Sequence, residues 1–266
     1  MSTEAAPAAA LKSCCANLYS SEAVRLLVGE SFHPGGIELT RRLADLLDLR
    51  PGDEVLDIAS GPGTSAVELA SSLGCSVTGV ELSASTRKLA EERAAAAGVQ
   101  DRVRFVAGDA ERLPVDAATF DAVICECAFC TFPGKSQAAA EIQRVLRPGG
   151  RVGLSDLTRR ADLPEELKGL LAWVACVADA GTEEEYMGHL GSAGLVPGVT
   201  EDHSGALLEL AEQISSRLSV LSLASQLGQL ALPQVGWADA RAMAASAMAE
   251  IRNGNLGYAI LVARKP

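Results

Sequence analysis

Residues 54–65 read EVLDIASGPGTS, a short apolar run carrying Asp57 that turns through Gly61 and Gly63. Residues 37–48, IELTRRLADLLD, have apolar side chains at helical spacing, and RPGD ends that helix, so the local order is helix, turn, strand. The glycines let backbone pass close to a ligand, and the first N–H groups of the next helix suit an anionic or polar group. Glu81, at the end of a second apolar run, lies 20 residues beyond Gly61. That separation is the one expected of a carboxylate accepting hydrogen bonds from ribose hydroxyls, so loop and acid together imply a nucleoside cofactor. The glycines alone leave the cofactor open: G-P-G-T-S-A places Ala66 at the third position of the nicotinamide fingerprint, where alanine is tolerated.

Working outward, residues 74–82, 102–110, 120–128 and 150–157 read as further buried strands, with amphipathic stretches at 64–73, 84–97 and 135–146. This alternation predicts an α/β, doubly wound, seven-stranded and mostly parallel sheet, with its ligand crevice at the carboxyl ends of the strands. Residues 162–194 read as helical, 195–203 as a strand, 205–250 as two or more helices broken near Pro233, and 257–265 as a closing strand. The expected organisation is an N-terminal lid segment over 1–36 and a cofactor-binding core over 37–160. A helical insertion or lid with one further strand follows over 161–256, and a closing strand over 257–266.

The chain has 266 residues, 48% of them hydrophobic, enough to bury a large core. A formal net charge of −11 disfavours a phosphate-backbone partner, so no nucleic acid is expected. Glu4, Pro7 and Lys12 interrupt the Ala-rich opening, and no run of 18 apolar residues occurs, which predicts a cytoplasmic protein with no membrane partner. The seven cysteines, at 14, 15, 75, 125, 127, 130 and 176, are irregularly spaced and read as free thiols.

Residues 35–160 resemble the class I S-adenosylmethionine-dependent methyltransferases. VLDIASGPG resembles their first motif, GVELS their ribose-binding strand, GDAERLPVDAATFDAVIC their third segment, and RVLRPGGRVGLSDL their following strand. The resemblance implies S-adenosylmethionine as cofactor and a Rossmann-like fold. It implies that Asp57 orients the loop, that Gly61 and Gly63 pass the methionine moiety, and that Glu81, followed by Leu82, takes the ribose. Asp109 and Ala110 would meet the adenine, and Glu126 would lie beside the cofactor. Ala59 stands where the family usually has glycine.

The stretch ICECAFCTF, residues 124–132, sets three thiols at the end of the fourth strand. Strand alternation puts Cys125 and Cys127 on one face and Glu126 on the other. Cys127 and Cys130 are expected near the chemistry and Cys125 and Cys75 in the core. CECAFCTF and the segment around Cys176 resemble arsenite methyltransferases, with Glu126 in place of an asparagine. Where those enzymes carry a further thiol the chain offers His203. Cys14 or Cys15 would join from the N-terminal segment, since adjacent helical residues cannot both face one ligand.

Cys127 or Cys130, Cys176 and one of Cys14 and Cys15 are thus the expected catalytic thiols, holding a trivalent metalloid whose lone pair needs no base. The alternatives are a C- or O-methyltransferase of the quinone or natural-product type and a non-catalytic thiol-based metal-binding module. An oxygen or carbon acceptor would call for a base, from Glu126, His33 or His203; His33, in SFHPGG, reads more readily as a turn residue. No structural metal is expected, because zinc knuckles favour loops and this cluster begins in a buried strand.

Overall fold

The computed structural model describes residues 33–167, 177–226 and 236–266. Helix α1 spans Gly36–Leu46, strand β1 Glu54–Ile58, and helix α2 Thr64–Glu68, which continues as a wider turn over Leu69–Leu73. Strand β2 (Ser76–Glu81), helix α3 (Ala84–Ala96), strand β3 (Val103–Ala107) and strand β4 (Phe120–Glu126) follow. Then come helix α4 (Lys135–Val145), strand β5 (Leu146–Arg159), helix α5 (Glu183–Ser192) and strand β6 (Val196–Asp202). Helices α6 (Ser204–Gln226) and α7 (Trp237–Arg252) lead into strand β7 (Leu256–Arg264).

The seven strands form one sheet in the order β3-β2-β1-β4-β5-β7-β6. Pairings among β1 to β5 are parallel, and β7 runs antiparallel to both β5 and β6. Strand order reverses between β1 and β4, so the carboxyl ends of these two strands open the crevice where α/β sheets bind ligands. The central strands are nearly continuous apolar runs because helices cover both faces. Leu56, Val123, Ile124 and Leu154 are essentially inaccessible, each such side chain contributing roughly 1.5–3 kcal/mol. Helix α1 presents Leu39, Leu43 and Ala44 to the sheet over Gly153, where a Cβ would stand 2.4 Å from Leu43.

Residues 108–119 join β3 to β4 without a helix, and Gly108 there lies so close to Pro114 that a Cβ would sit 2.6 Å from its ring. Two expectations need correction. Residues 162–194 are not one helical stretch: the described part holds a short turn at Glu165–Leu167 and α5. Thr182 starts α5 afresh with a capping box, accepting from the Glu185 N–H while the Glu185 side chain accepts from its own. Finally, β4 ends at Glu126 rather than at residue 128. Cys127 adopts a left-handed backbone, φ 52°, which takes it out of the strand alternation that would have set it on the face of Cys125.

Helices α6 and α7 pack on each other through Leu218, Ala240 and Ala244, with Ile214 and Trp237 against them. The pair belongs to the expected insertion or lid over 161–256, whose described part also holds α5 and β6; of residues 1–36 only the last four lie within the described residues.

Candidate active site

Four segments converge at the strand ends. The first is the loop after β1. Ala59, Gly61 and Gly63 all have positive φ, at 58°, 53° and 75°, which explains why glycine is the usual residue where Ala59 stands. Gly63 is also required sterically, since a Cβ would lie 2.6 Å from Phe105 and 2.9 Å from Ala90. Gly61 has nothing within 4 Å of the same position, so space is open above the loop.

The second segment is the end of β2. Glu81 accepts the Gly61 N–H at 3.1 Å and the Ser83 N–H at 2.7 Å, one on each carboxylate oxygen. Burial pushes its pKa up, partly offset by the N–H groups of Ser83, Gly61 and Leu82. Each oxygen keeps a further lone pair for an incoming donor. Leu82 beside it is exposed.

The third is Asp57 itself, 3% exposed. Its Oδ2 and the hydroxyl of Ser60 are buried without a hydrogen-bond partner among the described residues. Burial, then the charges of Glu126 and Glu81, hold the Asp57 carboxyl well above the usual carboxylate range. A buried acid with an idle oxygen stands ready for a cationic or N–H-bearing ligand group.

The fourth is the end of β4. Glu126, 5% exposed in its side chain, receives a short hydrogen bond from the Ser65 hydroxyl and a bifurcated one from the single Thr40 hydroxyl proton, 3.2 and 3.3 Å from its two oxygens. His33 Nε2 lies 3.7 Å from Glu126 Oε2 and 3.4 Å from Thr40 Oγ1, while its Nδ1 donates to the Pro34 carbonyl. The sequence offers His33 as one candidate base, though it reads more readily as a turn residue, and does not single out Thr40 or Ser65. The available signal was Thr40, a polar residue inside the apolar stripe that α1 turns toward the sheet. His203 instead pairs with Glu201 at 3.4 Å, beside edge strand β6.

The thiols divide. Cys125 and Cys130 are wholly buried and Cys127 is half-buried, directly after Glu126. Burial pushes the Cys125 thiol well up, reinforced by Asp156, Asp57 and Glu126, so it is not a thiolate ligand. Cys75 lies buried with its thiol against the Arg50 carbonyl, as a small core residue. Among the described residues no group of three His, Cys, Asp or Glu side chains is placed to hold a metal ion. Cys14, Cys15 and Cys176 lie outside the described residues. Asp109 and Ala110 follow β3, Asp109 accepting the Glu111 N–H at 3.0 Å and Ala110 buried.

A family model described as a methyltransferase domain matches residues 55–150, the segment from β1 into β5. The chain is 34% identical over 238 residues to 27-O-demethylrifamycin SV methyltransferase of Amycolatopsis mediterranei, covering 86% of this chain and 83% of that one. The chain belongs to the class I S-adenosylmethionine-dependent methyltransferases. Arsenite methyltransferase of Halobacterium salinarum is 32% identical over 149 residues, but this match spans 55% of the methyltransferase and 38% of its relative. Demethylmenaquinone methyltransferase of Mycolicibacterium gilvum is 41% identical over 112 residues, spanning 42% and 45%. Two solved structures share the fold. They are the [4+2]-cyclase SpnF, TM-score 0.78 at 24% identity over 100% of this chain and 99% of that one, and geranyl diphosphate C-methyltransferase of Streptomyces coelicolor, TM-score 0.76 at 19% over 98% and 100%.

The donor set suits the cofactor of this methyltransferase. The idle Asp57 oxygen and Ser60 hydroxyl, the spare lone pairs of Glu81 and the open space above Gly61 would suit a molecule bearing an ammonium group, a sulfonium and two ribose hydroxyls. No helix among the described residues is long and apolar enough to cross a membrane.

Proposed function

We propose that this enzyme methylates a hydroxyl oxygen of a small, natural-product-type acceptor in the cytoplasm. The observation that carries the reading is the buried Glu126–His33 pair at 3.7 Å, set at the carboxyl end of the strand beside β1. S-adenosylmethionine supplies an electrophilic methyl group. Glu81 takes the ribose, with Leu82 alongside; Asp109 and Ala110 border the adenine; Asp57, Ala59, Gly61 and Gly63 hold the methionine end. An acceptor hydroxyl releases a proton as its oxygen is methylated, and the Glu126–His33 pair receives it. The chain's own work is orientation, exclusion of water and that proton transfer. Helices α6 and α7 form a lid over the acceptor.

Two comparisons support the acceptor class. The rifamycin relative is matched over 86% of this chain, well beyond the extent of a cofactor-binding core, and its name specifies an O-demethyl acceptor. The arsenite relative is matched over little more than half of this chain.

A second reading, a trivalent arsenic or similar acceptor held by thiolates, is favoured by Cys127, half-buried next to Glu126. A methyl-transfer screen separates the two. Polyketide, ansamycin and quinol hydroxyl acceptors are run beside arsenite under reducing conditions. Methylation of a hydroxyl acceptor, lost in Glu126→Gln and His33→Gln, is the expected result. Methylation of arsenite alone, surviving both substitutions, would replace the first reading with the second.

A further inference from the structure

Ser65 does two things that no other side chain of the site does. It belongs to α2, which begins directly after the glycine loop, and its hydroxyl donates to Glu126 at the end of β4. Thr40, 1% exposed on α1, completes the link: its Oγ1 lies 3.3 Å from Ser65 Oγ, 3.2 Å from Glu126 Oε1 and 3.4 Å from His33 Nε2. Loop helix and α1 therefore meet on one carboxylate, each giving it a buried hydroxyl as donor, and the imidazole lies against the Thr40 oxygen.

We infer that Ser65 and Thr40 are positioning residues that couple the cofactor loop to the proton-handling pair, so that ordering of the loop sets the carboxylate of Glu126 against His33. The inference rests on the acid–base reading of that pair. Its chemistry is simple. A hydroxyl has one proton to donate, and both hydroxyls spend theirs on Glu126, which holds its carboxyl group from two sides. A shift of α2 when the loop closes on a ligand moves the Ser65 donor, and Glu126 moves with it. Hydrogen bonds to a carboxylate are among the stronger ones in a protein, so such a displacement is transmitted through them. In a close-packed interior, a displaced helix carries its neighbours rather than deforming alone.

The test needs no acceptor. The chain has three histidines, so the ring resonances of His33, His189 and His203 can be followed individually by nitrogen-edited NMR. In the full-length wild-type protein, adding S-adenosylhomocysteine is expected to move the His33 ring signals. In Ser65→Ala and Thr40→Val, S-adenosylhomocysteine is expected to bind within about threefold of wild type by calorimetry, with the His33 response at least halved; Thr40→Ser, which keeps the hydroxyl, should restore it. A full His33 response in both hydroxyl-deleted variants overturns the coupling. Loss of S-adenosylhomocysteine binding in Ser65→Ala overturns it as well, because Ser65 would then act on the cofactor itself. Should Ser65→Ala lose its fold by circular dichroism, the Thr40→Val and Thr40→Ser comparison decides alone. None of these outcomes depends on which acceptor is methylated, so failure here is distinct from failure of the acceptor screen.

Discussion

Glu81 and Gly61 meet through a 3.1 Å hydrogen bond from the Gly61 amide to the Glu81 carboxylate, across 20 residues of chain. The acid at the end of β2 therefore fixes the loop after β1, and on the proposed reading it keeps lone pairs for ribose hydroxyls. Glu81→Ala removes both functions. Losing one charged hydrogen bond costs about 1.5–3 kcal/mol, or roughly 10- to 100-fold in affinity. Calorimetry with S-adenosylhomocysteine measures it directly; wild-type affinity in Glu81→Ala would take this residue out of the site.

Gly79, on β2 beneath the loop, offers a sharper steric test. A Cβ there would stand 2.4 Å from Phe105 and 2.7 Å from the Ser60 hydroxyl. Gly79→Ala is expected to destabilise the protein by about 1–3 kcal/mol through overpacking. At roughly 2–4 °C per kcal/mol for a chain of this size, melting falls by several degrees. Because Ser60 must shift, S-adenosylhomocysteine affinity is expected to fall too. Gly98→Ala is the matched control: its φ of 71° strains an alanine, but nothing lies within 4 Å. It is expected to cost stability by its backbone alone, about 1–2 kcal/mol, and to leave cofactor affinity unchanged.

These two cases show what sequence could reveal. The loop, Glu81 and the order of the first five strands are local patterns: an apolar run, a glycine turn, an acid at a fixed distance. The Glu126 site is different in kind. Thr40 and Glu126 are 86 residues apart and Ser65 and Glu126 are 61 apart, and nothing near any of them announces the others. Thr40 is legible only as a misplaced hydroxyl in an apolar stripe, and His33 and Glu126 only as separate candidate bases whose pairing the fold alone reveals. Cys127 misled for a local reason: period-two alternation holds while a strand lasts, and β4 stops one residue earlier. The helical reading of 162–194 missed that Thr182 is an N-cap, whose side chain serves a helix start rather than a helix interior.

Asp57 sets a pH dependence whose sign is opposite to that of an ordinary surface acid. Its pKa is raised in the folded protein, by burial first and then by Glu126 and Glu81, so the native state holds a proton that the unfolded chain has lost. The stabilising contribution is full below the unfolded value, about 3.9, and declines as pH rises toward the folded one. Asp57→Asn removes the titration. It is expected to lose less stability than wild type between pH 4 and pH 7 in urea unfolding, while binding S-adenosylhomocysteine more weakly. Parallel stability profiles for the two proteins would show that Asp57 does not titrate in this range.

The thiols at the end of β4 are expected to differ in reactivity more than their spacing suggests. Alkylation needs both a thiolate and access. Cys125 has neither: it is wholly buried, and burial with Asp156, Asp57 and Glu126 nearby pushes its thiol well up. Cys75 is buried and pushed up to about 11, so it is almost entirely protonated at pH 8. Cys130 is buried as well, its amide N–H held by Asp156 Oδ2 at 3.0 Å. Cys127 alone of these four is partly accessible. With iodoacetamide at pH 8 and peptide mapping, Cys127 should be modified first among them. Cys127→Ser should leave melting nearly unchanged. Cys125→Ser should lower stability by about 1–3 kcal/mol, since it buries a hydroxyl where a weakly polar sulfur sat. Equal labelling of Cys125 and Cys127 in the native protein would mean that the end of β4 opens, and that the thiols there can gather around a soft acceptor after all.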